Sequence, residues 1–227
     1  MNNLSLNLAQ KNDTQPATGL VVLSENDKNT TRLVCFHFAG GSSQSFFTWK
    51  QCFQDTCDLV AFELPGRNRR YGLPFEDSIH NAAKDCANSC KLLPEKKTIF
   101  FGHSLGALIA YETARILGHH HPEALILSAR SNPFTCKVSY GLPKLSDNDL
   151  LQYLHDLKGT DERVLNNKSL MEMTLPIIRA DLMMIYRYKA IITDDLKSAV
   201  NIIGAINDKH CSFESLLDWR LIANQRF

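Results

Sequence analysis

Six runs along the chain are apolar and rich in β-branched residues: Gly19 to Ser24, Arg32 to Phe38, Asp58 to Leu64, Thr98 to Gly102, Ala124 to Ala129 and Ala199 to Ile206. Most are nearly continuous rather than alternating, the pattern of strands covered on both faces, as in a parallel sheet between helices. Helical periodicity fills intervals between them, over Glu76 to Leu93 and Ala107 to Leu117. The order is strand, helix, strand, which predicts an α/β fold with a mostly parallel, doubly wound sheet. One stretch breaks the rhythm. From Leu145 to Lys189 two helical patterns follow each other with no strand between them, the first capped by Ser146 or Asp147. Such an insertion is either a packed side layer or a cover over the strand ends, and periodicity alone does not choose, because the apolar residues face inward in both cases. Residues 1–17 are polar and short of aromatics, and are expected to form a disordered tail ahead of a single domain over 18–227.

Composition narrows the picture without naming a partner. The 227 residues are 44% hydrophobic and 22% charged, enough for one substantial core. Twenty-five Lys plus Arg against 24 Asp plus Glu leave a net charge of +1, so charge points to neither nucleic acid nor an anionic membrane. The seven cysteines are odd in number and lack framework spacing, which suits reduced thiols in a cytosol. Cys86 and Cys90 lie one helical turn apart, but with no Cys-x-x-Cys or His-rich segment to join them they read as buried thiols, and no metal is expected. The opening residues lack the basic and apolar regions of a signal peptide, and no run of about 18 apolar residues occurs, so the expected location is cytoplasmic.

The chemistry concentrates at Gly102-His103-Ser104-Leu105-Gly106, directly after the run ending at Gly102 and directly before a helical pattern. A Gly-x-Ser-x-Gly sequence between strand and helix is the context of a nucleophile elbow, in which a tight turn strains the serine backbone and the flanking glycines make room for it. Ser104 is the candidate nucleophile, and the amide of Leu105, at the positive end of the following helix, a candidate donor to an oxyanion. A second Gly-rich turn, His37-Phe38-Ala39-Gly40-Gly41, closes an earlier strand, where the amide of Ala39 or Phe38 offers the other donor.

Five segments, in order, carry a resemblance: CFHFAGGSSQSFFTW, ELPGRNRR, GHSLG, LMEMTLPIIRADL and GAINDK. From about Arg32 onward the sequence resembles the thioesterase family of α/β-hydrolases, specifically the stand-alone type II thioesterases of nonribosomal peptide and polyketide synthesis. PGRxxR, with Pro65, Gly66, Arg67 and Arg70, and LPIIRAD, Leu175 to Asp181, are more restrictive than the serine motif. The resemblance implies an α/β-hydrolase fold and a mobile lid over about 145–190. It implies acyl or peptidyl carrier proteins bearing phosphopantetheine as partners, hydrolysis through an acyl-Ser104, no cofactor, and a monomer. Asp208 would be the acid of the triad, and Arg67 and Arg70 are candidate contacts to the carrier or its phosphate.

The base is the departure. The family places its histidine one helix and one strand after the acid, whereas 19 residues follow Asp208 here and the expected segment is missing. His210 is the remaining candidate near the acid, as a substitute base. His103 is expected to point away from Ser104, and His37 to orient the oxyanion turn. His80, His119, His120, His121 and His155 read as surface or packing residues. Without an imidazole a serine hydroxyl is a poor nucleophile. The favoured expectation is a sequence cut short of a final strand and helix. A homologue that has lost catalysis, and a site completed by a partner or another residue, stand beside it. Two other functions remain open: a noncatalytic acyl-carrier-binding module and a general small-acyl esterase.

Overall fold

A computed structural model of the protein describes residues 18–135, 141–190, 196–208 and 210–222. The polar tail at 1–17 and Cys136 lie outside the described residues. All six apolar runs become strands: β1 (Leu20–Ser24), β2 (Thr31–Phe36), β3 (Asp58–Phe62), β4 (Lys97–His103), β5 (Ala124–Ser128) and β6 (Ala199–Ile203). They form one sheet in the order β1-β3-β2-β4-β5-β6, with β1 antiparallel to β3 and every other pair parallel.

Near-continuous apolarity has the expected meaning in the middle of the sheet. Alternate residues of one strand enter different cores, because successive side chains leave a strand on opposite faces. Val34, Phe36, Val60, Phe62 and Phe100 join the larger core with the helices α2 (Ile79–Cys90) and α3 (Leu105–Leu117). Leu33, Cys35, Leu59 and Ala61 face the other way, against Phe46, Trp49 and Phe53. Those aromatics lie on a helical stretch that periodicity did not predict, a 3-10 helix over Ser43–Trp49 running into α1 (Lys50–Phe53). It starts because the Ser42 hydroxyl accepts the Gln44 amide while Ser45 answers the Ser42 amide, a reciprocal cap.

The insertion between β5 and β6 holds α4 (Asp147–Leu157), α5 (Glu162–Leu165) and the 20-residue α6 (Lys168–Arg187). Ser146 caps α4, its hydroxyl accepting the Asp149 amide, and Asn167 caps α6. Leu150, Leu154, Met171, Leu175 and Ile178 form a third, smaller core between these helices. The end of the insertion is tied to the body: the Tyr188 hydroxyl donates to Glu112 Oε1 on α3 at 2.5 Å, and Arg115 pairs with Oε2 at 2.6 Å. After β6, α7 (Phe213–Leu217) and a 3-10 turn bring Trp219, fully buried, edge-on to Tyr111 of α3. Cys86 and Cys90 sit within one core with their sulfurs 3.9 Å apart. No described helix is long and apolar enough to cross a membrane.

Candidate active site

Because β4, β5 and β6 are parallel and in register, with His103 beside Ser128 and Ser128 beside Ile203, their C-terminal ends open onto one edge of the sheet. Ser104 and Asp208 both follow strands at that edge, the position where open α/β sheets gather their chemistry.

At the end of β4, Ser104 has φ 53° and ψ −112°, a left-handed conformation that a non-glycine residue adopts only under constraint. Sterics supply the constraint. A Cβ on Gly102 would meet the Gly106 carbonyl oxygen at 2.4 Å, and one on Gly106 would meet the Phe36 oxygen at 2.1 Å. Strand and helix therefore approach more closely than any other residue allows. Ser104 stands at the N-cap of α3, yet its hydroxyl makes no capping bond, so the oxygen is not spent on its own helix. Its amide donates to the Ser128 carbonyl at 2.9 Å, which pins the elbow to β5.

The glycine-rich turn lies beside the elbow, with Phe38 edge-on to the His103 ring at 6.0 Å. Gly41 N–H donates to Phe38 O at 2.9 Å, closing a four-residue turn whose third residue, Gly40, has φ 79°. His37 Nδ1 lies 2.9 Å from the same Phe38 oxygen, and as the oxygen can only accept, the nitrogen carries the proton. Burial, and next the Arg67 charge, push the His37 pKa below its usual 6.5, against the pull of Asp181 and Glu63. The ring is thus tied to the turn through Nδ1, and burial disfavours its charged form.

The two arginines are placed differently from the expectation. Arg67 and Arg70 were candidate contacts to a carrier or its phosphate, yet they are 5% and 6% exposed and their guanidinium groups are occupied internally. Arg67 grips Asp181 of α6 with two prongs, Nη2 to Oδ1 at 2.7 Å and Nη1 to Oδ2 at 2.8 Å, and Nη1 also donates to the Gly41 carbonyl. Arg70 Nη1 donates to the Glu63 carbonyl and pairs with Asp85 on α2 at 2.6 Å. Each arginine keeps a buried Nε without a partner, but with both side chains inside the protein neither guanidinium stands at the surface to meet a phosphate. Glu63, 1% exposed, accepts from the Ser43 amide and hydroxyl and from Asn68. The most restrictive sequence motifs thus meet: the arginine of PGR and the aspartate of LPIIRAD are two halves of one ion pair, 114 residues apart. Their opposite charges were the only sequence signal, and nothing in the spacing joined them.

Asp208 follows β6 in a turn, and its Oδ1 accepts from the amides of His210 (2.8 Å) and Cys211 (3.2 Å). His210 approaches the acid through its backbone, while its ring lies edge-on to Tyr153 of α4 at 6.0 Å. Asp208 also acts on the groups around it. The His103 pKa is lowered by burial while the Asp208 charge pulls it up, and the Tyr153 pKa is raised first by burial, with Asp208 adding to the rise and Arg130 opposing it. His103 Nδ1 lies 3.0 Å from the Ser128 hydroxyl. Tyr153 brings the inserted helices to the acid loop, a contact in keeping with the cover over the strand ends that the sequence left open beside a packed side layer.

Comparison with known proteins agrees with this geometry. A family model described as a thioesterase domain matches residues 31–220. Thioesterase PikA5 of Streptomyces venezuelae is 31% identical over 196 residues, covering 85% of this chain and 69% of that protein. The gramicidin S biosynthesis protein GrsT of Aneurinibacillus migulanus is 30% identical over 207 residues, covering 89% and 80%. Among solved structures, the type II thioesterase BorB from the borrelidin biosynthetic cluster superposes with a TM-score of 0.84 at 25% identity, covering 93% of this chain and 87% of that one. YbtT, a type II thioesterase from the yersiniabactin pathway, gives 0.79 at 29% identity, covering 90% and 85%.

Proposed function

We propose, from the premise that this chain belongs to the thioesterase family, that it releases acyl groups from phosphopantetheine thioesters carried on acyl or peptidyl carrier proteins, with Ser104 as nucleophile. The observation that carries the reading is the strained Ser104 elbow at the open ends of the parallel strands, its hydroxyl unused by its own helix. Names of relatives support a thioester substrate in a biosynthetic setting: PikA5 is a thioesterase, GrsT serves gramicidin S biosynthesis, and BorB and YbtT are type II thioesterases.

In this reading the Ser104 hydroxyl attacks the thioester carbonyl and the amides of Leu105 and Ala39 receive the oxyanion. Two features support the amide assignment. The Gly40 amide is committed to Asp181 and the Gly41 amide to Phe38 O. Leu105 begins α3, where N–H groups lack partners within the helix. The tetrahedral intermediate expels the pantetheine thiol and leaves an acyl-serine, which water then cleaves to a free acid. Asp208 is the carboxylate to orient a base, and His210 stands next to it in the loop.

A second reading has its own observation. The ring of His210 rests on Tyr153 and not on the Asp208 carboxylate, which favours a noncatalytic module that holds acyl carriers. A fluorophosphonate probe separates the two. Covalent labelling of the native protein, absent from Ser104→Ala, is the expected result, and no labelling of either protein would sink the catalytic reading in favour of the binding one. Faster hydrolysis of a simple oxygen ester than of an acyl-pantetheine thioester would instead identify a general esterase.

A further inference from the structure

The turn from Phe38 to Gly41 is held at nearly every peptide, and each holder is identifiable. The Phe38 carbonyl accepts from Gly41 N–H and His37 Nδ1–H, which turns the trans-related amide of Ala39 the opposite way. The Gly40 amide donates to Asp181 Oδ2 at 2.7 Å, and the Gly41 carbonyl accepts from Arg67 Nη1 at 2.9 Å. Two of these ties lead to one carboxylate. Asp181, 1% exposed, receives the Gly40 amide and both prongs of Arg67. It belongs to α6, in the insertion that covers the strand ends, and not to the sheet. Three residues earlier, and so on the same helical face, Ile178 lies over the turn: a Cβ on Gly40 would meet Ile178 Cγ1 at 2.5 Å. Helix α6 therefore touches the oxyanion turn through one apolar and one charged residue, and Arg67 links the pair back to the loop after β3.

We propose that Asp181 is a positioning residue for the oxyanion turn: by gripping the Gly40 amide and Arg67 together it makes the orientation of the Ala39 amide conditional on α6 being seated. The inference rests on the reading of Ala39 and Ser104 given above. It assigns the two halves of the insertion different roles. Helix α6 is a fixed strut of the site, held by Asp181 at its middle and by Tyr188 just beyond its end. Any opening for the acyl chain then falls to α4 and α5, whose α4 reaches the acid loop through Tyr153 alone among the contacts described. A carboxylate is required at position 181 because it must accept three donors at once, two of them from a cation, which a neutral amide cannot balance.

The test compares the native protein with Asp181→Asn, Asp181→Glu and, as a control, Asp85→Asn, which breaks the other buried-arginine pair away from the turn. Amide hydrogen exchange across Phe38 to Ser42 and turnover of an acyl-pantetheine thioester are both measured. Asp181→Asn is expected to raise exchange at Gly40 and Gly41 by about 10-fold or more while cooperative melting persists. The same variant should lower kcat by roughly 10- to 100-fold with KM changed less than about 2-fold, the signature of a misdirected oxyanion donor. Asp181→Glu should recover part of both, and Asp85→Asn should move neither. Unchanged exchange in the turn of folded Asp181→Asn, or an unchanged kcat, overturns the proposal. If Asp181→Asn does not fold, Arg67→Lys, which keeps the charge and loses the two-pronged grip, takes its place with the same expectations. Native turnover equal to that of Ser104→Ala would defeat the thioesterase reading instead, and hydrogen exchange would still decide whether Asp181 holds the turn.

Discussion

The ends of β4 and β6 open onto the same edge of the sheet and are built by different means. After β4 the backbone is fixed by backbone. Gly102 and Gly106 leave no room for a Cβ against main-chain atoms, Ser104 is held at a positive φ, and α3 behind it is buried along most of its length. After β6 the chain is held by side chains. The strand itself is partly exposed, Ile203 by 50%, and the turn beyond it is fixed by one carboxylate accepting two amides. Leu216 closes on Gly204 with the tip of a flexible side chain, beside an open cleft of about 650 Å³ lined by residues of β6, the loop after it and α7. A steric requirement for glycine leaves a spacing in the sequence. A turn held by one aspartate leaves only the aspartate, which any turn could contain.

Alanine at two glycines gives the largest contrast between these regions. Gly106→Ala drives a methyl into the Phe36 and His37 carbonyls, atoms of a central strand that cannot retreat. It should cost about 3 kcal/mol or leave too little folded protein to measure. Gly204→Ala meets only Leu216 Cδ1, at 2.2 Å, and a rotamer change relieves it, so about 1 kcal/mol or less is expected. Urea unfolding of both variants measures the difference. Equal losses would mean that the two strand ends are equally rigid and would break the comparison.

The next effect belongs to the glycine-rich turn after β2, beside the elbow. His37 is 2% exposed, and burial lowers its pKa from 6.5. Below that pH the unfolded chain binds a proton that the native ring refuses, so the stabilising contribution is complete above about pH 6.5 and is lost progressively as pH falls through the lowered native value. One such proton gives a slope of at most about 1.4 kcal/mol per pH unit. His37→Gln should flatten the dependence between pH 6.5 and 5, as read from thermal melts. A slope in that range identical to the native one would show that His37 is not the group responsible.

What the sequence made legible follows the same division. All six strands, the elbow and the cap at Ser146 could be read because each rests on a local rule: apolar runs, glycine spacing or a polar residue before a helix. The helical stretch over 43–53 went unread although Phe46, Trp49 and Phe53 recur at i, i+3 and i+7, because the stretch is short, most of it 3-10 with only four α-helical residues. The burial of Arg67 and Arg70 was not legible for a different reason. Arginines beside a turn are ordinarily solvated, and the carboxylates that draw these two inside lie on other elements, Asp181 being 114 residues away. The apolar run of β6 suggested burial on both faces, but the strand is the last of the sheet as described, and Asn201 and Ile203 are exposed.

The acid loop sharpens the comparison with a smaller effect. Asp208→Ala removes the acceptor of the exposed His210 amide, where water can replace it, and of the part-buried Cys211 amide. The stability loss should be about 1 kcal/mol, the range found for a lost turn or cap acceptor. Asp208→Asn keeps an oxygen in place and should lose less, about 0.5 kcal/mol. Chemical denaturation of the pair measures both values. A loss for Asp208→Ala approaching that of Gly106→Ala would mean that this carboxylate organises the sheet edge, as the glycines do after β4. A small loss leaves Asp208 free to be read by its charge alone, and the charge already reaches His103 and Tyr153 on either side of it. The side of the site that tolerates substitution structurally is then the side whose chemistry is most exposed to it.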